Sequence, residues 1–316
     1  MYYYKGIPKM VICKNLEHIH HFDESILTMG TFDGMHRGHI DIISDLTSLS
    51  KMNKIPSVVI TFDPHPKMVL GSSGIDLQLL ISTGEKLKFL QKHSVDYVCV
   101  IPFDKKFSHL SAGDFLKKCI VANFNPLDII IGYDHHFGFD REGNAEFLNE
   151  HKKEYKYNLH VKEPILYDDM PISSSRIRSY LKSGNIDNAN ECLGREYKFY
   201  GSIVNGQKRG RMLKYPTANI KPLISNQLIP AHGVYCVDAI IEDSFYIGMC
   251  NIGKRPTFYK NGEEIIEVHL FSNDALNLYG KNIVLTFKRY LREEKKYKSG
   301  SELIKQLELD RQACFT

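Results

Sequence analysis

Thr28-Met29-Gly30-Thr31-Phe32-Asp33-Gly34-Met35-His36-Arg37-Gly38-His39 is the stretch on which the reading of the chain turns. The apolar run Ile26 to Met29 enters it as a strand would, and Ile40, Ile43, Leu46 and Leu49 leave it with helical spacing. The glycines between them let the backbone turn sharply and come close to a ligand. His36 and His39, at i and i+3, share one side of the first helical turn, where unpaired N–H groups and the positive end of the helix dipole favour anions. Such a turn suits a nucleotide's phosphates. Plainer readings stand beside it: a glycine-rich joint between packed elements, and histidines that are either surface residues or half of a metal site.

The narrower pattern H-x-G-H on a strand–loop–helix resembles the signature of the nucleotidyltransferase superfamily. That resemblance implies attack on the α-phosphate of a nucleoside triphosphate with loss of pyrophosphate. The longer string G-T-F-D-G-x-H-x-G-H resembles the flavin-nucleotide branch of that superfamily. It implies ATP and phosphate contacts at Gly30, Phe32, Asp33, Gly34 and Gly38, with His36 and His39 at the reacting phosphate.

At 316 residues the chain is long enough for two domains, and 43% hydrophobic with 25% charged residues gives it material for ordinary cores. A net charge of +4 suits anionic small molecules and does not argue for nucleic acid. No run approaches the roughly 18 apolar residues of a membrane span, and the start lacks a signal-peptide core, so a cytoplasmic protein without membrane contact is expected. Cys13, Cys99, Cys119, Cys192, Cys236, Cys250 and Cys314 are scattered and odd in number, never in C-x-x-C spacing. They read as reduced small hydrophobes, neither a disulfide framework nor a zinc site. The sequence is compatible with a homo-oligomer without requiring one.

Through the first half, short apolar strands at Ser57–Phe62, Tyr97–Ile101 and Leu127–Ile131 alternate with helices, two of them capped at Ser82-Thr83-Gly84-Glu85 and Ser111-Ala112-Gly113-Asp114. That alternation predicts a doubly wound parallel sheet, whose strand C-termini are where ligands bind. Two loops lie there. In Asp63-Pro64-His65-Pro66 the prolines are expected to stop regular structure, giving either a rigid ligand loop or a simple turn. Gly132-Tyr133-Asp134-His135-His136-Phe137-Gly138 lacks a further ligand for a metal and reads either as a nucleotide- or flavin-contacting loop or as a structural turn. His65, Asp134 and Phe137 are the candidate contacts.

Ile172-Ser173-Ser174-Ser175-Arg176-Ile177-Arg178 opens another helix, with serines to satisfy orphan N–H groups and two arginines near that end. A solvated helix start is the alternative. The segment resembles the superfamily's I-S-S-T-x-I-R motif, with Ser175 in place of the usual threonine. It implies Ser174, Arg176 and Arg178 on the triphosphate.

From Tyr197 the pattern becomes strands at Phe199–Val204, Val234–Ile241, Tyr246–Asn251, Ile265–Phe271 and Ile283–Tyr290, which predicts a small antiparallel barrel. A last helix is capped at Ser299-Gly300-Ser301-Glu302. Gly206-Gln207-Lys208-Arg209-Gly210-Arg211 is a basic loop, suited to phosphates or to plain solvent. In Tyr215-Pro216-Thr217-Ala218-Asn219, an extended segment aims the Thr217 hydroxyl and the Asn219 amide the same way, two neutral oxygens suited to Mg²⁺ on ATP. Glu267 stands in an otherwise apolar strand. If buried it would be costly without a task, and desolvation would make it a better base; an exposed edge-strand face is the alternative.

The order Gly-x-x-x-Gly-Arg, Pro-Thr-Ala-Asn, Gly233-Val234-Tyr235, Asn251 to Phe258, Glu267-Val268-His269, Tyr279-Gly280 and Leu291-Arg292-x-Glu294 resembles riboflavin kinases. The whole chain is similar to the bifunctional riboflavin kinase/FAD synthetase family, departing at Lys214-Tyr215, where glycine and an aromatic are usual. The resemblance implies an α/β nucleotidyltransferase domain with a Rossmann-like parallel sheet over 1–185 and a small antiparallel β-barrel riboflavin kinase domain with a terminal helix over 186–316. It implies that MgATP and riboflavin give FMN in the barrel, with Glu267 as base. Thr217 and Asn219 would be metal and phosphate ligands, and Gly206, Gly210, Arg211 and Pro216 would lie at the nucleotide. A second ATP and FMN would then give FAD and pyrophosphate at the histidine turn.

Overall fold

The computed structural model describes residues 10–16, 19, 22–71, 77–204, 216–254, 264–272 and 278–315. By its contacts the chain divides into two units, Met1–Ile172 and Ser173–Thr316.

The first unit is a parallel six-stranded sheet. Its strands are β1 (Val11–Cys13), β2 (Ser25–Met29), β3 (Ser57–Asp63), β4 (Tyr97–Pro102), β5 (Pro126–Gly132) and β6 (Asn158–Lys162), in the order β1-β4-β3-β2-β5-β6. Its helices are α1 (Arg37–Asn53), α2 (Pro66–Leu70), α3 (Thr83–Lys92), α4 (Lys105–Ser108), α5 (Ala112–Asp114), α6 (Ala122–Phe124) and α7 (Ala145–Tyr155), with a π-helical stretch, Phe115–Val121, joining α5 to α6. A hairpin, β7 (Leu166–Tyr167) and β8 (Met170–Pro171), follows β6.

Successive strand residues serve opposite faces. Leu27, Val58, Ile60, Cys99, Ile129 and Ile131 join a core with Phe115, Leu116 and Leu148. Ile26, Val59, Val98, Val100 and Ile130 join the other core with Ile43, Leu46 and Leu90 of α1 and α3. Because both faces are covered, the strands read as apolar runs with no polar alternation. The chain leaves β2 toward β3 and β4 on one side, then returns to place β5 on the other side of β2. The crevice between the ends of β2 and β5 is therefore the sheet's switch point, the place where such folds bind ligands.

The Asp63–Pro66 expectation is corrected in one respect. Pro66 starts a helix: its fixed φ suits the first helical position, where no N–H is needed, and His65 caps that turn.

In the second unit, α8 (Ser174–Lys182) and α9 (Ile186–Leu193) precede a closed antiparallel barrel. Its strands are β9 (Tyr197–Val204), β10 (Ala218–Pro222), β11 (Gly233–Ile241), β12 (Ser244–Lys254), β13 (Glu264–Leu270) and β14 (Asn282–Arg292), ordered β10-β13-β12-β11-β14-β9. The contact division falls before α8, whose Leu181 carbonyl accepts from the Ala231 amide at 2.9 Å. Helix α10 (Gly300–Ala313) closes the chain, with Ser299 accepting from the Glu302 amide as its cap. The helix is tied to β14 by Arg292, which grips buried Asp310 through Nε (3.0 and 3.1 Å) and Nη2 (2.7 Å).

The expectation of seven reduced cysteines is corrected here. Cys236 on β11 and Cys314, just after α10, form a disulfide. Their spacing of 78 residues carries no local signal, so only the fold brings them together.

Candidate active sites

Two sites are built by different means, one in each unit. In the first unit, β2 runs into a turn whose backbone enters the left-handed region at Phe32 (φ 48°), Gly34 (φ 84°) and Met35 (φ 42°). Glycine adopts that region freely; Phe32 and Met35 are held there by their surroundings, since both are buried. Asp33, 2% exposed, fastens the turn by accepting from the Leu80 amide (3.1 and 3.3 Å) and the Ile81 amide (3.3 Å). His36 is the N-cap of α1, its Nδ1 accepting from the His39 amide at 3.4 Å. That bond leaves the proton of the neutral ring on Nε2.

The two imidazoles stack, with centroids 3.6 Å apart and planes 18° from parallel, and Phe32 meets His39 edge-on at 5.3 Å. Gly30 lies under that phenyl ring, where a Cβ would stand 3.2 Å from Phe32 Cζ. Gly38 adjoins the His36 ring, 3.4 Å from an added Cβ.

Around this turn the fold gathers the other two loops at the sheet's C-terminal edge. His65 is half-buried and is spent on capping α2, accepting from the Lys67 amide at 3.1 Å. Asp134 is exposed, its carboxylate 3.5 Å from the position of a Cβ on Gly132, which also faces Ile42 of α1. Phe137 is a core residue, packed with Phe115 and Phe147 and so close to Gly143 that a Cβ there would stand 2.6 Å from its ring. It supports the loop from beneath. Burial, with His136 adding to it, pushes His135 down to about 4, so this ring stays neutral. Among the described residues, no group of three or more His, Cys, Asp or Glu side chains could hold a metal.

Ser174, Arg176 and Arg178 lie on the first turns of α8, in the second unit. Ser173 caps the helix by accepting from the Arg176 amide at 3.2 Å. Arg178 is buried, while Arg176 donates from Nε to the Tyr180 hydroxyl at 2.9 Å.

The barrel site is made by register. Glu267 on β13 pairs with Asn219 of β10 on one side and Asn251 of β12 on the other. Directly opposed residues share a face, so the three side chains stand abreast. Glu267 is half-buried and turned away from Ile266 and Val268, which fill the barrel. The expectation of a carboxylate buried in an apolar interior is thus corrected: strand alternation puts it on the other face. The Thr217 hydroxyl lies 3.5 Å from Glu267 Oε2. Pro216 is held by His269, whose Nδ1 donates to the Pro216 carbonyl at 2.8 Å; desolvation lowers the proton affinity of His269 against that bond. Asn251 Nδ2 donates to Glu294 Oε1 at 2.9 Å. Gly206, Gly210, Arg211 and the Lys214-Tyr215 departure lie outside the described residues.

Two family models match the chain, FAD synthetase over residues 18–176 and riboflavin kinase over residues 193–315. A bifunctional riboflavin kinase/FMN adenylyltransferase of Bacillus subtilis is 32% identical over 308 residues, covering 95% of this chain and 96% of that protein. The chain belongs to the bifunctional riboflavin kinase/FMN adenylyltransferase family. The Escherichia coli K12 member is 31% identical over 286 residues, 90% of each chain. A solved Streptococcus pneumoniae structure, described as a macrolide-efflux protein, superposes with a TM-score of 0.88 at 30% identity, over 97% of this chain and 99% of that one. Among the described residues of this family member, no helix is long and apolar enough to cross a membrane.

Sequence reasoning missed three residues that the geometry brings forward. Asn251 and Glu294 had been read only as parts of motifs, because their meeting depends on barrel closure. Lys86 carries no mark in the sequence, yet it is buried beside the histidine turn.

Proposed function

We propose that the chain makes FAD from riboflavin in two ATP-dependent steps, one at the histidine turn and one at the barrel. The reading rests above all on the meeting of Glu267 with Asn219, Asn251 and Thr217 in one chain with a stacked histidine pair at a sheet's switch point. In the kinase, Glu267 takes the proton of the ribityl 5′-hydroxyl as that oxygen attacks the γ-phosphate of ATP. Thr217 and Asn219 hold the nucleotide's phosphates from the same face. Their hydroxyl and amide oxygens, beside one carboxylate, are the hard donor set that suits Mg²⁺, an ion that keeps waters and phosphate oxygens for its remaining positions. Bound there, Mg²⁺ would neutralise phosphate charge. Pro216 fixes the entry to β10.

In the adenylyltransferase, the FMN phosphate is already anionic and attacks the α-phosphorus of a second ATP without a base. His36 and His39 stabilise the charge that builds on the reacting phosphate, and the Gly30–Gly38 turn supplies backbone N–H groups to the triphosphate. The motif Ile172 to Arg178 is what assigns Ser174, Arg176 and Arg178 to the departing pyrophosphate, and with them α8 to the adenylyltransferase, giving a functional boundary at 185/186. Asp134 and His65 border the flavin or nucleotide from the neighbouring loops. A cytoplasmic location follows from substrates such as ATP.

Incubation with riboflavin, ATP and Mg²⁺, followed by chromatography, tests the reading. FMN should form first, then FAD with pyrophosphate. Failure to make either product from its immediate precursor would refute the corresponding half.

A further inference from the structure

Lys86 lies on α3, outside every element given a chemical role above, and is 5% exposed. Lysine is almost never so buried unless it is paired. Its Nζ donates to the Thr31 carbonyl at 2.7 Å and to the Thr61 hydroxyl at 3.1 Å, and that hydroxyl donates on to Thr31 O at 3.3 Å. The charged groups facing it are Asp33, from the histidine turn, and Asp63, at the end of β3. One cation thus serves two of the ligand-edge loops.

Thr31 is the last residue before the left-handed stretch that begins at Phe32. Non-glycine residues in that region persist only where the structure around them over-determines their conformation. Asp33 is one fastening, on the Leu80 and Ile81 amides; Lys86 is the other, on the peptide just before Phe32. From there the contacts run in sequence: Phe32 edge-on to His39, and His39 stacked on His36.

We infer that Lys86 is a positioning residue for adenylyl transfer: by anchoring the Thr31 carbonyl it sets the Phe32 ring against His39 and so fixes the histidine pair at the reacting phosphate. The inference rests on the adenylyltransferase reading above. It assigns Lys86 no contact with substrate, so the loss should fall on turnover and leave binding in place. A lysine that merely fills the core would behave otherwise, because its removal would act on stability and leave turnover per folded molecule intact.

The experiment compares full-length wild type, Lys86→Met and Lys86→Gln, measuring FAD formation from FMN and FMN formation from riboflavin in the same preparations. Resistance of the first unit to proteolysis, read on peptides from α1, β3 and α3, reports how much of that unit is folded, and kcat for FAD formation is expressed per folded first unit; the kinase reaction reports the second unit. Both variants should keep FMN formation within about twofold, lose about tenfold or more in kcat for FAD formation, and keep KM for FMN and ATP within about twofold; a tenfold loss is about 1.4 kcal/mol in the barrier. Glutamine retains a neutral donor, so Lys86→Gln should lose less than Lys86→Met. If Lys86→Met does not fold, Lys86→Gln decides alone. Unchanged kcat in the folded variants, a loss confined to KM, or a parallel fall of both activities would each overturn the inference. Absence of FAD formation in the wild type would instead overturn the adenylyltransferase reading.

Discussion

Replacing Lys86 with Met should remove a pH dependence of stability whose size follows from the structure. Burial pushes the Lys86 ammonium from its ordinary 10.5 down to about 8, desolvation outweighing the attraction of Asp33 and Asp63. Below about pH 8, folded and unfolded chains both carry this proton, so the folded state bears the full cost of the buried charge. Between about 8 and 10.5 the folded chain has released the proton and the unfolded chain has kept it. The unfolded state then binds more protons, so stability rises with pH across that window. At about 1.4 kcal/mol for each tenfold change in proton affinity, the rise amounts to about 3 kcal/mol. Methionine has similar length and no proton to release. The stability of wild type minus that of Lys86→Met should therefore climb by about 3 kcal/mol between about pH 7.5 and about pH 10.5, with other titrations cancelling in the difference. Urea unfolding followed by pulse proteolysis, with peptides from α1, β3 and α3 read by mass spectrometry, follows the first unit by itself. A difference that stays flat to within about 0.5 kcal/mol, or that falls with pH, would refute the buried-cation argument.

The remaining predictions separate the two sites and test the closure of the second unit. His39→Ala should lower FAD formation by about 10²–10³-fold and spare FMN formation, as expected for one lost electrostatic donor. Glu267→Gln should do the reverse, losing about 10²–10⁴-fold in FMN formation while FAD still forms from added FMN. In Gly253→Ala the new Cβ would stand 2.2 Å from Glu294 Oε1, so Glu294 must leave Asn251; FMN formation from riboflavin should fall about tenfold, the worth of one charge-assisted hydrogen bond. Alkylation of protein unfolded without reductant should label five thiols, and Cys314→Ser should cost the second unit about 4–5 kcal/mol, the closure entropy of a 78-residue loop, with no cost once reductant is added. Seven labelled thiols would refute the pairing.

Much of the first unit was legible because its signals are local. Apolar runs with β-branched residues gave β2 to β5, and serine caps with a residue three positions on gave the starts of α3, α5 and α10. Strands β1 and β6 were not visible: one has three residues, and the other, at the sheet's edge, mixes Asn158, His160 and Lys162 with two apolar residues. Strand β10 hid for a related reason, since Ala218–Pro222 is short and ends on proline, yet it carries Asn219 to Glu267. The π-helical run after α5 has no sequence mark, because a change in hydrogen-bond step leaves apolar spacing nearly intact. Of the sites, the residue types were legible and their surroundings were not. Phe137 is a candidate contact because its loop follows a strand at the ligand edge, with a structural turn as the alternative; its ring packs in the core with Phe115 and Phe147, which the sequence does not show. Glu267 stood between a buried and an exposed reading because its neighbours are apolar; a strand sends neighbours to opposite faces, and the carboxylate is half-buried on the face away from them.

The two sites therefore depend on different parts of the fold. The barrel site consists of side chains aligned by strand pairing, and a one-residue slip of β13 would send Glu267 inward and carry Ile266 or Val268 to its place beside Asn219. Its integrity is a matter of register, which the alternating core residues of β13 already enforce. The histidine site consists of a short backbone path that its own residues do not favour, with Phe32 and Met35 in the left-handed region. Such a path is held from outside, by Asp33 reaching to Leu80 and Ile81 and by Lys86 reaching to Thr31. On the inference drawn above, groups distant in sequence, the Leu80 and Ile81 amides and Lys86, would set whether the histidine pair is usable, which would account for a buried charge costing about 3 kcal/mol where a methionine would fill the same space.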